Sequence, residues 1–439
     1  MQFDDLAGRT VVIWGAGREG RAALDAVTAR GIEAVVAVTG AGAVPDDLAA
    51  VTVTGTAAEA RLEAADVVIK SPGVPHTDPL FVRLRERGVS VTSLTDLWLA
   101  DNHERVVAVT GTKGKSTTSA LIHHLLDAVG VPSSLVGNGG TPVTTDDPGD
   151  AQIAVVEVSS YQAADLTVSP RIAVVTSLYP EHLPWHGGYE QYVADKLNLV
   201  AHDPDVVVVP DLVGVPGTLV AERTRTRPLT PLDVGIAVSP SGLAWDQVGD
   251  LAAADLPLRG THNLLNAALA LTTVHAVTDG DPAAAFVALN ALRTFAPLAH
   301  RLEVVPSDDG RTWINDGLAT APESVVAALA AYRDERITLI AGGADRGLSF
   351  GPLTSYLAGR EGGIVKVVAV GPAGVRLAAE SDLSDLRVAA DFATAMQWAR
   401  DDTGETEIVL LSPGAPSFDE FASYEERAAA FRAAARATT

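Results

Sequence analysis

Val106-Val107-Ala108-Val109-Thr110-Gly111-Thr112-Lys113-Gly114-Lys115-Ser116-Thr117-Thr118 is the stretch on which the fold turns. Its first five residues are apolar or β-branched and read as a buried strand; a glycine-spaced loop follows, and the Ala/Leu pattern over residues 120–129 reads as a helix. Strand, glycine loop, Gly-Lys-Ser and helix make a phosphate-binding loop. The glycines let backbone N–H groups turn toward phosphate oxygens, and the helix N-terminus adds partial positive charge. Lys115 is expected to reach the terminal phosphates and Ser116 to hold Mg²⁺. An ordinary glycine turn before a helix is the plain alternative. The agreement of strand, loop and helix argues against it.

The pattern repeats outward from this loop. Val/Ile/Ala-rich runs at 10–14, 34–39, 67–70, 106–110, 154–158, 172–176, 206–209, 338–341, 366–370 and 407–411 alternate with Ala/Leu-rich helical stretches. Continuous apolar runs suggest parallel strands covered on both faces, and the alternation predicts an α/β protein. With 439 residues, the chain has room for about two to four domains. The polar stretch 101–104 and the end of a helical segment at 263–292 mark boundaries, so domains are expected over residues 1–101, 102–297 and 298–439. The Pro-rich stretch 210–240 reads as loops and short strands.

A formal net charge of −23 excludes a general nucleic-acid or anionic-membrane surface. Anionic ligands would need local cations, metal ions or helix N-termini. There is no cysteine, hence no disulfide and no thiolate chemistry. The first ten residues carry early acids and no basic segment, and no run of about 18 apolar residues occurs, so a cytoplasmic protein without membrane insertion is expected.

Gly15-Ala16-Gly17-Arg18-Glu19-Gly20 follows a strand pattern and opens a helix. The acid expected about 20 residues later in a dinucleotide site is missing; Val38-Thr39-Gly40 stands there. The reading is therefore a Rossmann-like fold that holds a diphosphate, not a redox cofactor. Glu157, at the C-terminal end of the run 154–158, is placed for a nucleotide-bound Mg²⁺; a solvated strand-end glutamate is the plain alternative.

The loop from Thr110 to Thr117 resembles that of the Mur ligases and folylpolyglutamate synthases, which transfer the ATP γ-phosphate to a carboxylate and then form an amide. Glu157-Val158-Ser159-Ser160-Tyr161-Gln162 resembles the glutamate-ligase branch of the Mur family. The resemblance then runs through the whole chain in order, and implies three domains: a Rossmann-like UDP-binding domain, a central P-loop ATPase domain with a parallel sheet, and a C-terminal Rossmann-like domain. It implies ATP contacts from Gly111, Thr112, Lys113, Gly114, Lys115, Ser116, Thr117, Asn263, Arg301 and Asp316. It implies two Mg²⁺ ions held by Ser116, Glu157, His182 and a carbamylated Lys196, with His186 as a rival to His182. Lys115, His182 and Lys196 would be the catalytic set.

UDP-MurNAc-L-Ala would meet Gly15, Ala16, Gly17, Arg18, Ser71, Pro72, Gly73, Asn138 and Ser159, within motifs that include Lys70-Ser71-Pro72-Gly73-Val74, Thr95-Asp96 and Asn138-Gly139-Gly140. Glutamate would meet Thr320, Arg346, Ser417, Phe418 and Tyr424. Members of the family that add D-glutamate usually carry lysine where this chain has Leu318 and Arg346, and that swap is not conservative at a carboxylate site. The resemblance is to the divergent branch that adds L-glutamate, with a separate glutamyl epimerase acting afterwards. Ligation of D-glutamate is the alternative, and a non-catalytic nucleotide-binding regulator the more distant one. A monomer is expected.

Overall fold

A computed structural model describes residues 1–40, 44–138, 141–144, 153–211, 215–360 and 365–437. The chain divides into two compact units, one of residues 1–252 with 265–295, the other of residues 253–264 with 296–439.

The first unit carries two parallel sheets, and the expected strands supply their centres. One contains β1 (Val11–Trp14), β2 (Ala34–Val38), β3 (Thr52–Thr54), β4 (Val67–Lys70) and β5 (Ser90–Thr92), in the order β3-β2-β1-β4-β5. Every pairing in it is parallel. The order reverses between β1 and β4, so the loops that leave their C-terminal ends form a switch-point crevice, where α/β sheets bind ligands. The other sheet contains β6 (Val106–Thr110), β7 (Ser133–Gly137), β8 (Ile153–Glu157), β9 (Ile172–Val175) and β10 (Val206–Val208), in the order β10-β9-β6-β8-β7. The central β6 is buried at every residue, as its unbroken apolar run requires. A hydrophobic core joins both sheets, from Ile13 and Val67 in the first to Ala108, Val156 and Val175 in the second.

The Pro-rich stretch holds the helix Val215–Ala221 and leads into three antiparallel strands, β11 (Ile236–Ser239), β12 (Gly242–Trp245) and β13 (Gly249–Ala252). The helical segment at 263–292 is two helices, Thr261–Val277 and Pro282–Ala291. Asp279 and Gly280 take positive φ between them, and Pro282 opens the second helix; a proline at the first helical position costs no hydrogen bond.

The second unit is built on β14 (Glu303–Val305), β15 (Thr312–Asn315), β16 (Ile337–Gly342), β17 (Val365–Val370), β18 (Leu386–Ala389) and β19 (Ile408–Leu411), in the order β14-β15-β19-β16-β17-β18. Only the β14–β15 pairing is antiparallel. Apolar clusters cover both faces: Leu339 and Leu410 point to one, Ile340 and Val409 to the other. That two-sided burial is why these strands read as continuous hydrophobic runs. Among the described residues, no helix is long and apolar enough to cross a membrane.

Candidate functional site

The phosphate loop leaves β6 through Gly111 at φ 144° and enters the helix Lys115–Ala128 through Gly114 at φ 89°. Both glycines are required by space as well as by φ. A Cβ on Gly111 would lie 2.0 Å from Thr176 Oγ1, and one on Gly114 would lie 2.6 Å from Asn266 Oδ1. The loop is tied to the segment after β9: Thr112 N–H donates to Ser177 O at 2.8 Å, and Lys113 N–H to Ser177 Oγ at 2.8 Å. Thr112 Oγ1 also meets the Tyr192 hydroxyl at 2.5 Å. Lys115, Ser116 and Thr117 form the first helical turn, half-buried. Lys115 folds back, its Nζ donating to Gly111 O at 2.8 Å and Thr112 O at 3.1 Å. Lys113 instead pairs with Glu181 at 2.8 Å.

Glu157 ends β8 in register with Val109 of β6, so its carboxylate stands beside the start of the phosphate loop. It is buried, and Asn138 Nδ2 donates to its Oε1 at 2.9 Å. Asn138 is exposed; Gly139 and Gly140 of the same motif lie outside the described residues. Lys196 is only 2% exposed, and its Nζ donates to Gly111 O at 2.9 Å. Burial and the neighbouring Lys115 ammonium hold its amine well below the usual lysine range.

His182 and His186 separate clearly. His182 sits at φ 56°, exposed, with its ring 5.0 Å from that of Tyr161. Burial draws its imidazolium down from the usual range, against the pull of Glu181. His186 is buried with both nitrogens engaged, Nδ1 with Asp195 at 2.6 Å and Nε2 with Ser160 at 3.0 Å. A metal would have to break one of those contacts to reach it. Among the described residues, no group of three or more His, Asp or Glu side chains stands ready to hold a metal by itself. A metal at Glu157 would therefore draw on other oxygen donors, such as the Ser116 hydroxyl and phosphate oxygens. That suits a hard cation.

At the switch point, Gly15 takes φ 117°, and a Cβ there would lie 2.4 Å from Ser71 Oγ. The loop of Gly15, Ala16, Gly17 and Arg18 thus packs directly on the loop of Ser71, Pro72 and Gly73. Gly17 caps the helix Arg18–Ala29. Ser71 Oγ is buried without a hydrogen-bond partner among the described residues. Ser159 is spent locally: it caps the helix Ser160–Ala163 and shares a capping box with Gln162. Lys70 and Asp96, in motifs read as meeting the muramoyl substrate, are both 1% exposed. Asp96 accepts from Thr167 N–H at 2.7 Å and Thr167 Oγ1 at 2.8 Å, so it ties the helix Leu94–Asn102 to the connection that precedes β9.

In the second unit, Asn263 donates from Nδ2 to Arg259 O at 2.8 Å. Asp316 follows β15 and accepts from Ser412 Oγ at 2.7 Å; burial pushes its carboxyl up to about 7, with Ser412 and Arg301 opposing. Thr320 and Arg346 line one recess of ≈ 190 Å³ together with Ala344, Arg376 and Gly414. Ser417 and Phe418 do not line it. Ser417 is buried, its Oγ lacking a partner among the described residues, and Phe418 is 66% exposed. Tyr424 opens the helix Tyr424–Arg436, its ring 5.4 Å from that of His300. Sequence reading had no role for Arg427. It is buried, its donors reach the carbonyls of Gly317, Ala415 and Pro416 at 3.2 Å, and it shapes the Ser417 segment. Burial lowers its guanidinium to about 10.

Comparison with known proteins agrees with this geometry. Residues 109–213 match the model of the Mur ligase middle domain, and residues 300–414 that of the Mur ligase glutamate ligase domain. The chain is 45% identical to the UDP-N-acetylmuramoyl-L-alanine--L-glutamate ligase of a Micromonospora species, covering 100% of this chain and 99% of that one. It is also 45% identical to the ligase of the same name from Salinispora tropica, covering 100% of both. The MurF ligase of Thermotoga maritima, solved with ADP, shares the fold with a TM-score of 0.60 at 15% identity, over 99% of this chain and 96% of that one. Full-length identity at this level, with both domain models in order, leads to one conclusion: the chain belongs to the Mur ligase family.

Proposed function

We propose that this chain is an ATP-dependent ligase that joins L-glutamate to the alanyl carboxylate of UDP-N-acetylmuramoyl-L-alanine, a step of peptidoglycan precursor synthesis. The observation that carries the reading is the register of Val109 with Glu157. It sets a carboxylate beside a phosphate loop, in a chain whose full-length relatives are named for this ligation. Those names also disfavour D-glutamate. The phosphate loop with Lys115, Glu157 and the buried Lys196 argues against a non-catalytic regulator.

ATP would be held by residues 111–117 with Asn263, Arg301 and Asp316, and the muramoyl substrate by the two switch-point loops with Asn138. Glutamate would be held by Thr320, Arg346, Ser417, Phe418 and Tyr424. Two Mg²⁺ ions would be held by Ser116, Glu157, His182 and carbamylated Lys196, and would screen charge on the transferring phosphoryl group. The alanyl carboxylate oxygen attacks the γ-phosphorus and ADP leaves, giving an acyl phosphate. The glutamate amine then attacks the acyl carbon, the C–O bond to phosphate breaks, and amide, phosphate and a proton result. Lys115 offsets the charge that builds on the phosphoryl oxygens. The division into residues 1–101, 102–297 and 298–439 follows the same assignment. A cytoplasmic monomer working with a glutamyl epimerase completes the reading.

The test is phosphate release from ATP and Mg²⁺ with the muramoyl substrate and each enantiomer of glutamate. Release should need both the muramoyl substrate and L-glutamate. Brisk release without the muramoyl substrate would count against the assignment.

A further inference from the structure

One short segment joins the two parallel sheets of the first unit. Gln162 Nε2 donates to Glu19 Oε1 and to Thr95 Oγ1, each at 3.3 Å. Glu19 lies in the first turn of the helix Arg18–Ala29, which the loop after β1 enters. A little further on, Asp165 pairs with Lys70, Nζ to Oδ2 at 2.9 Å, and meets His76 Nε2 through Oδ1 at 2.7 Å. Lys70 and His76 bracket the loop that follows β4. The Lys70 side chain is 0% exposed and that of Asp165 6%. Lys70 also donates to Val74 O at 2.9 Å and Ser71 O at 3.4 Å, so its ammonium is held by the loop as well as by the carboxylate. Trp185 adds a further tie: its indole N–H donates to Gly73 O at 3.2 Å while its ring lies 4.5 Å from that of Tyr161.

A buried ion pair is a poor source of stability, because stripping water from both charges offsets their attraction. What it supplies is position. Here residues 162–165 hold the loop after β4 through Lys70 and His76, and the first turn of the helix after the β1 loop through Glu19, and that run continues from Glu157 at the end of β8. The segment that runs from Glu157 through Asp165, together with Trp185, thus ties the loop after β4 to the end of β8.

We propose that Gln162, Asp165, Lys70, His76 and Trp185 act as positioning residues, a clasp that holds the diphosphate loops at a fixed distance from Glu157 so that the alanyl carboxylate meets the γ-phosphate. The proposal rests on the ligase reading and deepens it. Neither Lys70 nor Asp165 touches the phosphate loop, so the clasp acts on the muramoyl substrate and not on ATP.

The test uses the full chain carrying Lys70→Met with Asp165→Leu, which removes both charges together and strands neither, and separately Asp165→Asn. Hydrogen exchange at the amides of Ser71, Gly73, Val74 and His76 should quicken in both. The KM for UDP-MurNAc-L-Ala should rise roughly tenfold with a fall in kcat, as displacement of a reacting group implies. The KM for ATP should stay within about twofold. Unchanged exchange at 71–76 would overturn the clasp. So would a parallel rise in both KM values, which marks general loosening, or an unchanged KM for the muramoyl substrate. If the unaltered chain turned over none of these substrates, the ligase reading would fall, and the exchange measurement would still decide whether the clasp exists.

Discussion

Lys115 and Lys196 donate to the same oxygen: their Nζ atoms lie 2.8 and 2.9 Å from Gly111 O. Two ammonium groups on one carbonyl repel each other, and Lys196, the more deeply buried, bears the cost. A neutral amine is a nucleophile for CO₂, and a carbamate there would turn a repelled cation into an anion facing Lys115. We expect ¹³C-bicarbonate to give a carbamate NMR signal that Lys196→Ala abolishes. The same variant should lose about 10²-fold or more in kcat. A wild-type spectrum without that signal would defeat the assignment.

Lys115 is pre-placed by its bonds to the loop's own carbonyls, and should turn to the phosphates when they bind. Lys115→Ala should lower kcat/KM for ATP by about 10²–10³-fold, the usual consequence of deleting one contact to developing charge. The fold should survive, since the side chain is only half-buried. Steady-state phosphate release checks the first point and circular dichroism the second.

Asp316 gives a pH dependence of definite sign. Its carboxyl is raised from 3.8 to about 7 in the folded chain, so the folded state holds a proton that the unfolded state releases near pH 4. The stability from that protonated group is full below about pH 4 and is lost as pH rises through about 7. Asp316→Asn keeps the neutral form at all pH values. The stability of the variant relative to wild type should therefore grow by about 2 kcal/mol between pH 5 and pH 7. Urea midpoints at the two pH values measure it, and a difference that shrinks with pH would contradict the assignment.

Arg346 and Thr320 share a recess in the second unit, and Arg346 is exposed there. If Arg346 grips a glutamate carboxylate, Arg346→Ala should raise the KM for L-glutamate by about tenfold or more, the worth of a charge-assisted hydrogen bond. The KM for ATP should not move. Wild type should prefer L- to D-glutamate in kcat/KM, and a clear preference for the D enantiomer would remove the argument from Leu318 and Arg346.

Much of this molecule was legible in one dimension because its chemistry is local. The phosphate loop is read from adjacent residues, since a strand, two glycines at positive φ and a helix start need no distant partner. The central strands are read from their apolar runs, since a parallel strand covered on both faces must be apolar throughout. Short edge strands such as Thr52–Thr54 and Ser90–Thr92 escaped, because three residues with partly exposed positions carry no pattern. The first antiparallel strand, Ile236–Ser239, falls in the stretch read as loops and short strands, whereas Gly242–Trp245 and Gly249–Ala252 escaped, four-residue strands with little apolar pattern. Side-chain roles that depend on long-range contact were out of reach. The sequence shows two histidines, 182 and 186; only the fold engages His186 with Asp195 and Ser160 and leaves His182 exposed. It shows a lysine before Ser-Pro-Gly; only the fold buries Lys70 against Asp165, far away along the chain. Local backbone chemistry and periodicity are written in neighbouring residues. The partner of a buried charge is chosen by packing between sheets, and no spacing along the chain encodes it.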